Sequence, residues 1–146
     1  MAEDWNTAII NEFRANDGKV GGQFTGAPLL ILHSVGAKTG RIRVNPLMYQ
    51  DLGHGRLAVF ASKGGAPTNP DWYHNLVANP RATVELGTET FNVIARVARS
   101  EERLRIWSTQ KRRYPNFAEY ERKTKREIPV VILERAGSPR DRSTSS

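Results

Sequence analysis

The stretch "FASKGGAPTNPDWYHN" gathers residues that can hold an anion. Ser62 and Lys63 carry side-chain donors, and the small residues Gly64, Gly65 and Ala66 allow successive backbone N–H groups to turn toward one ligand. A flexible glycine loop is the plain alternative for this hexapeptide alone. It does not stand alone: Lys38 and Thr39 lie in the preceding turn "GAKTGR", and Arg43 begins a segment that carries Asn45 and Pro46. Donors of this kind, brought together at strand ends, suit a phosphate or a carboxylate. Trp72 and Tyr73 follow the glycine loop directly, where an aromatic either joins the core, its usual fate, or walls a flat ligand.

Several other chemistries find no support. The chain has no cysteine, which rules out disulfides, thiolate zinc sites and a cysteine nucleophile. His33, His54 and His74 form no ligand spacing, so no metal is expected. The glycines of "GKVGG" and "GAKTG" match neither the phosphate loop of nucleotide hydrolases nor the dinucleotide fingerprint. Ser62 lacks a G-x-S-x-G elbow, which leaves it a hydroxyl donor or turn former rather than a nucleophile.

The formal net charge of +7 calls for an anionic partner: nucleic acid, a membrane surface or a phosphorylated cofactor. Much of the charge lies in "KRRY" and "ERKTKRE", which read as solvated surface. Basic and aromatic residues are not arranged in a recognised nucleic-acid motif, so a nucleic-acid-binding barrel is the weaker reading and no nucleic acid is expected.

The elements that must position these residues follow from periodicity. Trp5, Ile9, Ile10 and Phe13 recur at helical spacing over about residues 4–15, within an N-terminal helix and linker covering 1–18. Packing on the domain is its expected role, with a peripheral membrane contact as the alternative. "PLLILHSV", "IRVNPLMYQDL", "RLAVFAS", "ATVEL", "ETFNVIARVA" and "IPVVILE" read as strands, and Pro46 predicts an edge, a bulge or a kink in the second. "NPDWYHNLVANP" reads as a short helix capped by Asn69 with Pro70 at its first position. A further helix starts near Ser100 with Leu104, Ile106 and Trp107 on its apolar side, and "RYPNFAEYERKT" is helical after Pro115. Short turns between strands describe an antiparallel sheet closing on itself, mainly β with helices packed against it. One domain is expected over 1–136, with a disordered tail over 137–146. No apolar run approaches the roughly 20 residues of a membrane span, and no secretory signal is evident, so a cytoplasmic protein is expected, with membrane association through the first helix as the alternative.

"LLILHSVGAKTGRIRVNPLMY", "FASKGGAPTNPDWYHNLVANP" and "EERLRIW…RYPNFAEYERKTKREIPVVILE" together resemble the deazaflavin-dependent nitroreductase family of actinobacteria, whose members use coenzyme F420. The resemblance implies a split β-barrel related to flavin-binding barrels, with F420 in a groove and hydride transfer from C5 of the reduced deazaflavin to a quinone or nitroaromatic acceptor. By motif it implies that Lys38, Thr39 and Arg43 meet the phosphate and glutamate tail, with Asn45 and Pro46 continuing that wall. Ser62, Lys63, Gly64, Gly65 and Ala66 would line the deazaflavin, bordered by Pro70, Trp72 and Tyr73. Tyr114, Phe117 and Tyr120 would line the acceptor pocket from one helix face, where family members often carry three tyrosines, and Met48 stands where some relatives have an aromatic. Ser62, Tyr114 and Tyr120 would supply the hydroxyls for an acceptor's developing charge. A flavin mononucleotide reductase on the same barrel is the alternative, since a phosphate nest and an aromatic wall suit that cofactor too.

Overall fold

A computed structural model of the chain describes residues 2–19 and 28–136. The strands are β1 (Leu29–Val35), β2 (Ile42–Gly53), β3 (Arg56–Phe60), β4 (Arg81–Leu86), β5 (Glu89–Val97) and β6 (Val130–Arg135). They close into one antiparallel barrel in the order β1-β2-β3-β6-β5-β4. Helices α1 (Ala2–Ala15), α2 (Asp71–Ala78), α3 (Ser100–Arg113) and α4 (Asn116–Lys123) pack around it. The 137–146 segment and the side chain of Trp5 lie outside the described residues.

The two-residue period of a strand sends alternate side chains to opposite faces. In β1, Leu30 and Leu32 enter the barrel interior while Leu29 and Ile31 meet α1, so both faces are covered and the run is apolar throughout. β6 does the same with Val131 and Leu133 inside and Val130 and Ile132 against α3 and α4. Pro46 opposes Ile31 of β1, whereas the β2–β3 ladder begins only at Tyr49, so the missing donor of Pro46 faces a side without a strand. It stands at a local edge.

Ile10 and Phe13 of α1 are buried against β1, with Phe13 only 1% exposed. Burying a side chain of that size stabilises by about 1.5–3 kcal/mol, more than the exposed Arg14–Glu85 pair at its end, for which about 0–1 kcal/mol is typical. The apolar face of α1 is therefore what docks it. On α3 the buried stripe is Ile106, Trp107 and Gln110, while Leu104 is 61% exposed, so Leu104 leaves the apolar side expected for it and faces solvent. Trp107 Nε1 and Lys111 Nζ donate to the Glu121 carboxylate at 2.7 and 2.9 Å, which ties α3 to α4. No helix among the described residues is long and apolar enough to cross a membrane.

Candidate functional site

Because β1 and β3 are both antiparallel to β2, their C-terminal ends share one end of the barrel. The chain leaves β3 through Ala61 and Ser62 into a single 3-10 turn, Lys63–Gly65. Ser62 is right-handed (φ −77°, ψ −39°) and Lys63 left-handed (φ 48°). That alternation turns neighbouring N–H groups to one side, which is how a backbone anion nest is built. The N–H groups of Gly65 and Ala66 are used inside the turn, donating to Ser62 O at 2.9 Å and Lys63 O at 3.1 Å. Gly65 has φ 85°, and a Cβ on it would lie 2.9 Å from Tyr120 O and from Lys123 Cβ. Only glycine lets α4 close over the loop.

Arg126, between α4 and β6, fills the underside of the same segment. Its Nη1 donates to Ala61 O at 3.1 Å and Asn69 Oδ1 at 2.7 Å, its Nη2 to Ser62 O at 2.9 Å, and its Nε to Ala66 O at 3.0 Å. Burial pulls its guanidinium below the ordinary value, yet arginine stays charged. Sequence reasoning passed over Arg126, because "ERKTKRE" reads as a solvated run and no local signal separates one cation from its neighbours. It also accounts for Asn69, expected as a helix cap: Pro70 caps α2 and Asn69 accepts from Arg126 instead.

The β1–β2 turn forms the second cluster. Lys38, Thr39 and Arg43 line a cleft of about 330 Å³ together with Asp71, His74 and Asn75 of α2. Asn75 is buried, accepts from Ala37 N at 2.9 Å and donates to Ser34 Oγ at 3.4 Å, which fastens the turn to α2. Thr39 Oγ1 accepts from Arg41 N at 3.2 Å and so braces the turn from within. Lys38 and Arg43 are exposed and carry no ion pair among the described residues. Asn45 and Pro46 sit half-buried in β2, Trp72 is 5% exposed in the barrel interior, and Tyr73 is half-buried with its ring edge-on to His74 at 5.5 Å. Trp72 has thus taken the core role, whereas Tyr73 remains at the surface of α2.

The third group lies around α4. Tyr120 accepts a hydrogen bond from Asn116 Nδ2 at 3.0 Å. Tyr114 is the C-cap of α3, not a residue of α4, so Tyr114, Phe117 and Tyr120 do not share one helix face. Phe117 is 5% exposed, with its ring edge-on to Phe60, Trp107 and Tyr120 at 5.6, 6.2 and 5.3 Å. It is sealed in the core rather than open to a pocket, because the face of α4 that carries it is the one laid on the barrel wall. Met48 is half-buried where the α1 cluster meets the α3–α4 cluster. Tyr49 beside it was not singled out from the sequence. Burial, then the Asp51 charge and the neighbouring Tyr114, push the Tyr49 hydroxyl above its ordinary value.

The 62–66 loop and the basic cleft lie at one end of a closed antiparallel barrel. The fold itself is shared with the heme storage protein HutZ from Vibrio cholerae, at 16% identity and a TM-score of 0.57, covering 91% of this chain and 92% of that one. A family model for F420H(2)-dependent quinone reductase matches residues 5–135. The F420H(2)-dependent quinone reductase Rv1261c of Mycobacterium tuberculosis is 39% identical over 127 residues, 84% of this chain and 85% of the relative. A solved F420-H2 dependent reductase, FDR-A, is 42% identical with a TM-score of 0.67, covering 73% of this chain and 94% of that one. The chain belongs to the F420H(2)-dependent quinone reductase family. It is an oxidoreductase whose cofactor is coenzyme F420.

Proposed function

We propose that this protein passes a hydride from reduced F420 to a quinone across the barrel end built by the 62–66 loop, the β1–β2 turn and α4. The observation that carries the reading is the right-handed then left-handed backbone at Ser62 and Lys63, lying at the same barrel end as the exposed Lys38 and Arg43. The residues fit the group: main-chain donors suit an electron-rich ring edge, and two cations without ion pairs among the described residues suit a phosphodiester and a glutamate tail. Lys38, Thr39 and Arg43 would hold that tail, Asn45 and Pro46 would continue its wall, and 62–66 would line the ring with Pro70 and Tyr73 at its border. Bound there, reduced F420 supplies the hydride.

The protein's own work is positioning, exclusion of water and handling of a proton. The hydroxyl of Ser62, with those of Tyr114 and Tyr120 as further donors, would hydrogen-bond the acceptor oxygen as negative charge develops and then deliver a proton to it. Met48 would border the acceptor from β2. No nucleophile is needed. Residues 1–136 would work as one cytoplasmic domain. Any contact with a quinone-bearing membrane would fall to the outer face of α1, since Ile10 and Phe13 are spent on the barrel.

The test is a titration of F420 fluorescence with purified protein, beside one with flavin mononucleotide, followed by oxidation of reduced F420 with a soluble quinone. Tight F420 binding and quinone-dependent oxidation are expected. Flavin binding equal to or tighter than F420 binding would overturn the reading.

A further inference from the structure

Four acceptors converge on Arg126, and all four are neutral: three main-chain carbonyls and one side-chain amide. Among the described residues no carboxylate pairs with it. A cation placed for stability alone would be expected to meet an acid, because a partly buried charge costs least when paired. This one instead grips the segment around the nest, through the main-chain carbonyls of Ala61, Ser62 and Ala66 and the side-chain amide oxygen of Asn69.

Peptide geometry gives that grip a consequence. The described chain has no cis peptide bond, and in a trans peptide the C=O and the following N–H point in opposite directions. Drawing the carbonyls of Ala61 and Ser62 onto the guanidinium therefore aims the N–H groups of Ser62 and Lys63 away from it, out of the opposite side of the loop. Those are donors of the right-handed then left-handed pair.

We infer that Arg126 is a positioning residue for the anion-binding loop: its fork holds the carbonyls of the loop on one side so that the nest donors face the other, and its unpaired charge backs them. This rests on the reading that the 62–66 loop takes F420. A lysine at 126 keeps the charge but loses the fork, since a compact ammonium does not span acceptors distributed over 61–69. Glutamine loses both.

The experiment compares the native protein with Arg126→Lys, Arg126→Gln and the milder Asn69→Ala, which removes one acceptor and leaves the arginine. Amide hydrogen exchange of 62–66 is measured without cofactor, and the F420 dissociation constant by fluorescence, both where thermal unfolding shows each protein folded. For Arg126→Lys, exchange should accelerate by about tenfold or more and the dissociation constant should rise by a similar factor. Arg126→Gln should bind more weakly still, Asn69→Ala should shift both readings by about two- to fivefold, and millimolar guanidinium but not ammonium should restore part of the Arg126→Gln affinity. If the substituted arginine does not yield folded protein, Asn69→Ala decides alone. Faster exchange with native affinity would leave Arg126 a merely structural brace and overturn the inference, as would unchanged exchange. If the native protein does not bind F420, the cofactor reading fails first and the inference with it. Native binding that is lost in Lys38→Ala but unaffected at 126 and 69 would sink the inference alone.

Discussion

At Lys63 the main chain takes φ 48°, which costs a residue bearing a Cβ about 1–2 kcal/mol unless its surroundings impose it. Here they do, from below through Arg126 and from above through α4 at Gly65. Lys38 in the β1–β2 turn and Arg43 at the start of β2 have exposed side chains, so their removal should report on ligand binding rather than on folding. Lys38→Ala or Arg43→Ala should each weaken F420 binding by about 1–3 kcal/mol if they make charge-assisted bonds. Fluorescence titration with cofactors of increasing glutamate number should show the loss growing with tail length; a loss blind to tail length would place the tail elsewhere. Phe117 makes the opposite case. Read from sequence, Phe117→Tyr adds a useful hydroxyl to an acceptor pocket. Packed between Phe60 and Trp107, that hydroxyl would instead be buried without a partner, at a cost of about 1–3 kcal/mol. Urea unfolding should show the lower stability, and F420 affinity measured on the folded fraction should change little.

Among the elements, α1 is held by a buried apolar face and by an ionic contact at Arg14 whose pH dependence can be worked out. Glu85 accepts from Arg14 at 2.9 and 2.6 Å and contacts His33 Nε2 at 2.5 Å. The Arg14 bond, working against burial and helped by His33, holds the Glu85 carboxyl below its ordinary value. A folded value below the unfolded one means that the contribution is complete above about pH 4.3 and is lost as pH falls through the folded value. The ionic part of the docking of α1 should therefore weaken in acid. Since the Arg14 side chain is half exposed, Glu85→Gln should cost only about 0.5–1 kcal/mol. Amide exchange along α1 should quicken in that variant at pH 7, and the difference from the native protein should shrink below about pH 4. A difference that persisted there would assign the docking to packing alone.

For the molecule as a whole, the +7 net charge acts over distances longer than any one contact. A basic barrel end facing a polyanionic tail should bind faster and more tightly at low salt, with screening over about 8–10 Å at ordinary ionic strength. Raising salt from about 50 to 500 mM should weaken binding of long-tailed F420 by about tenfold or more, and weaken binding of the tail-free deazaflavin far less. Fluorescence titration across salt concentrations reads both; equal slopes would mean that the charge does not serve this ligand.

Much of this architecture was legible in the amino-acid sequence itself. Runs of strand-forming residues between turn signals marked all six strands, Pro46 marked a local edge, and the small residues after Ser62 marked a loop, because each of these depends on neighbours within a few positions. What covers each face was not legible. Leu104 and Phe117 are both apolar residues on short amphipathic helices, yet one is 61% exposed and the other 5%, a difference made by the barrel wall each helix meets. Arg126 is the sharpest instance. Its hydrogen bonds reach residues 57 to 65 positions away, and nothing within "ERKTKRE" distinguishes it from Lys123, Lys125 or Arg122. Composition and local period determined a basic β-barrel with a loop of small residues after its third strand; only the closing of that barrel, which sets the end of β3 beside the entrance to β6, decided which cation would lie beneath that loop.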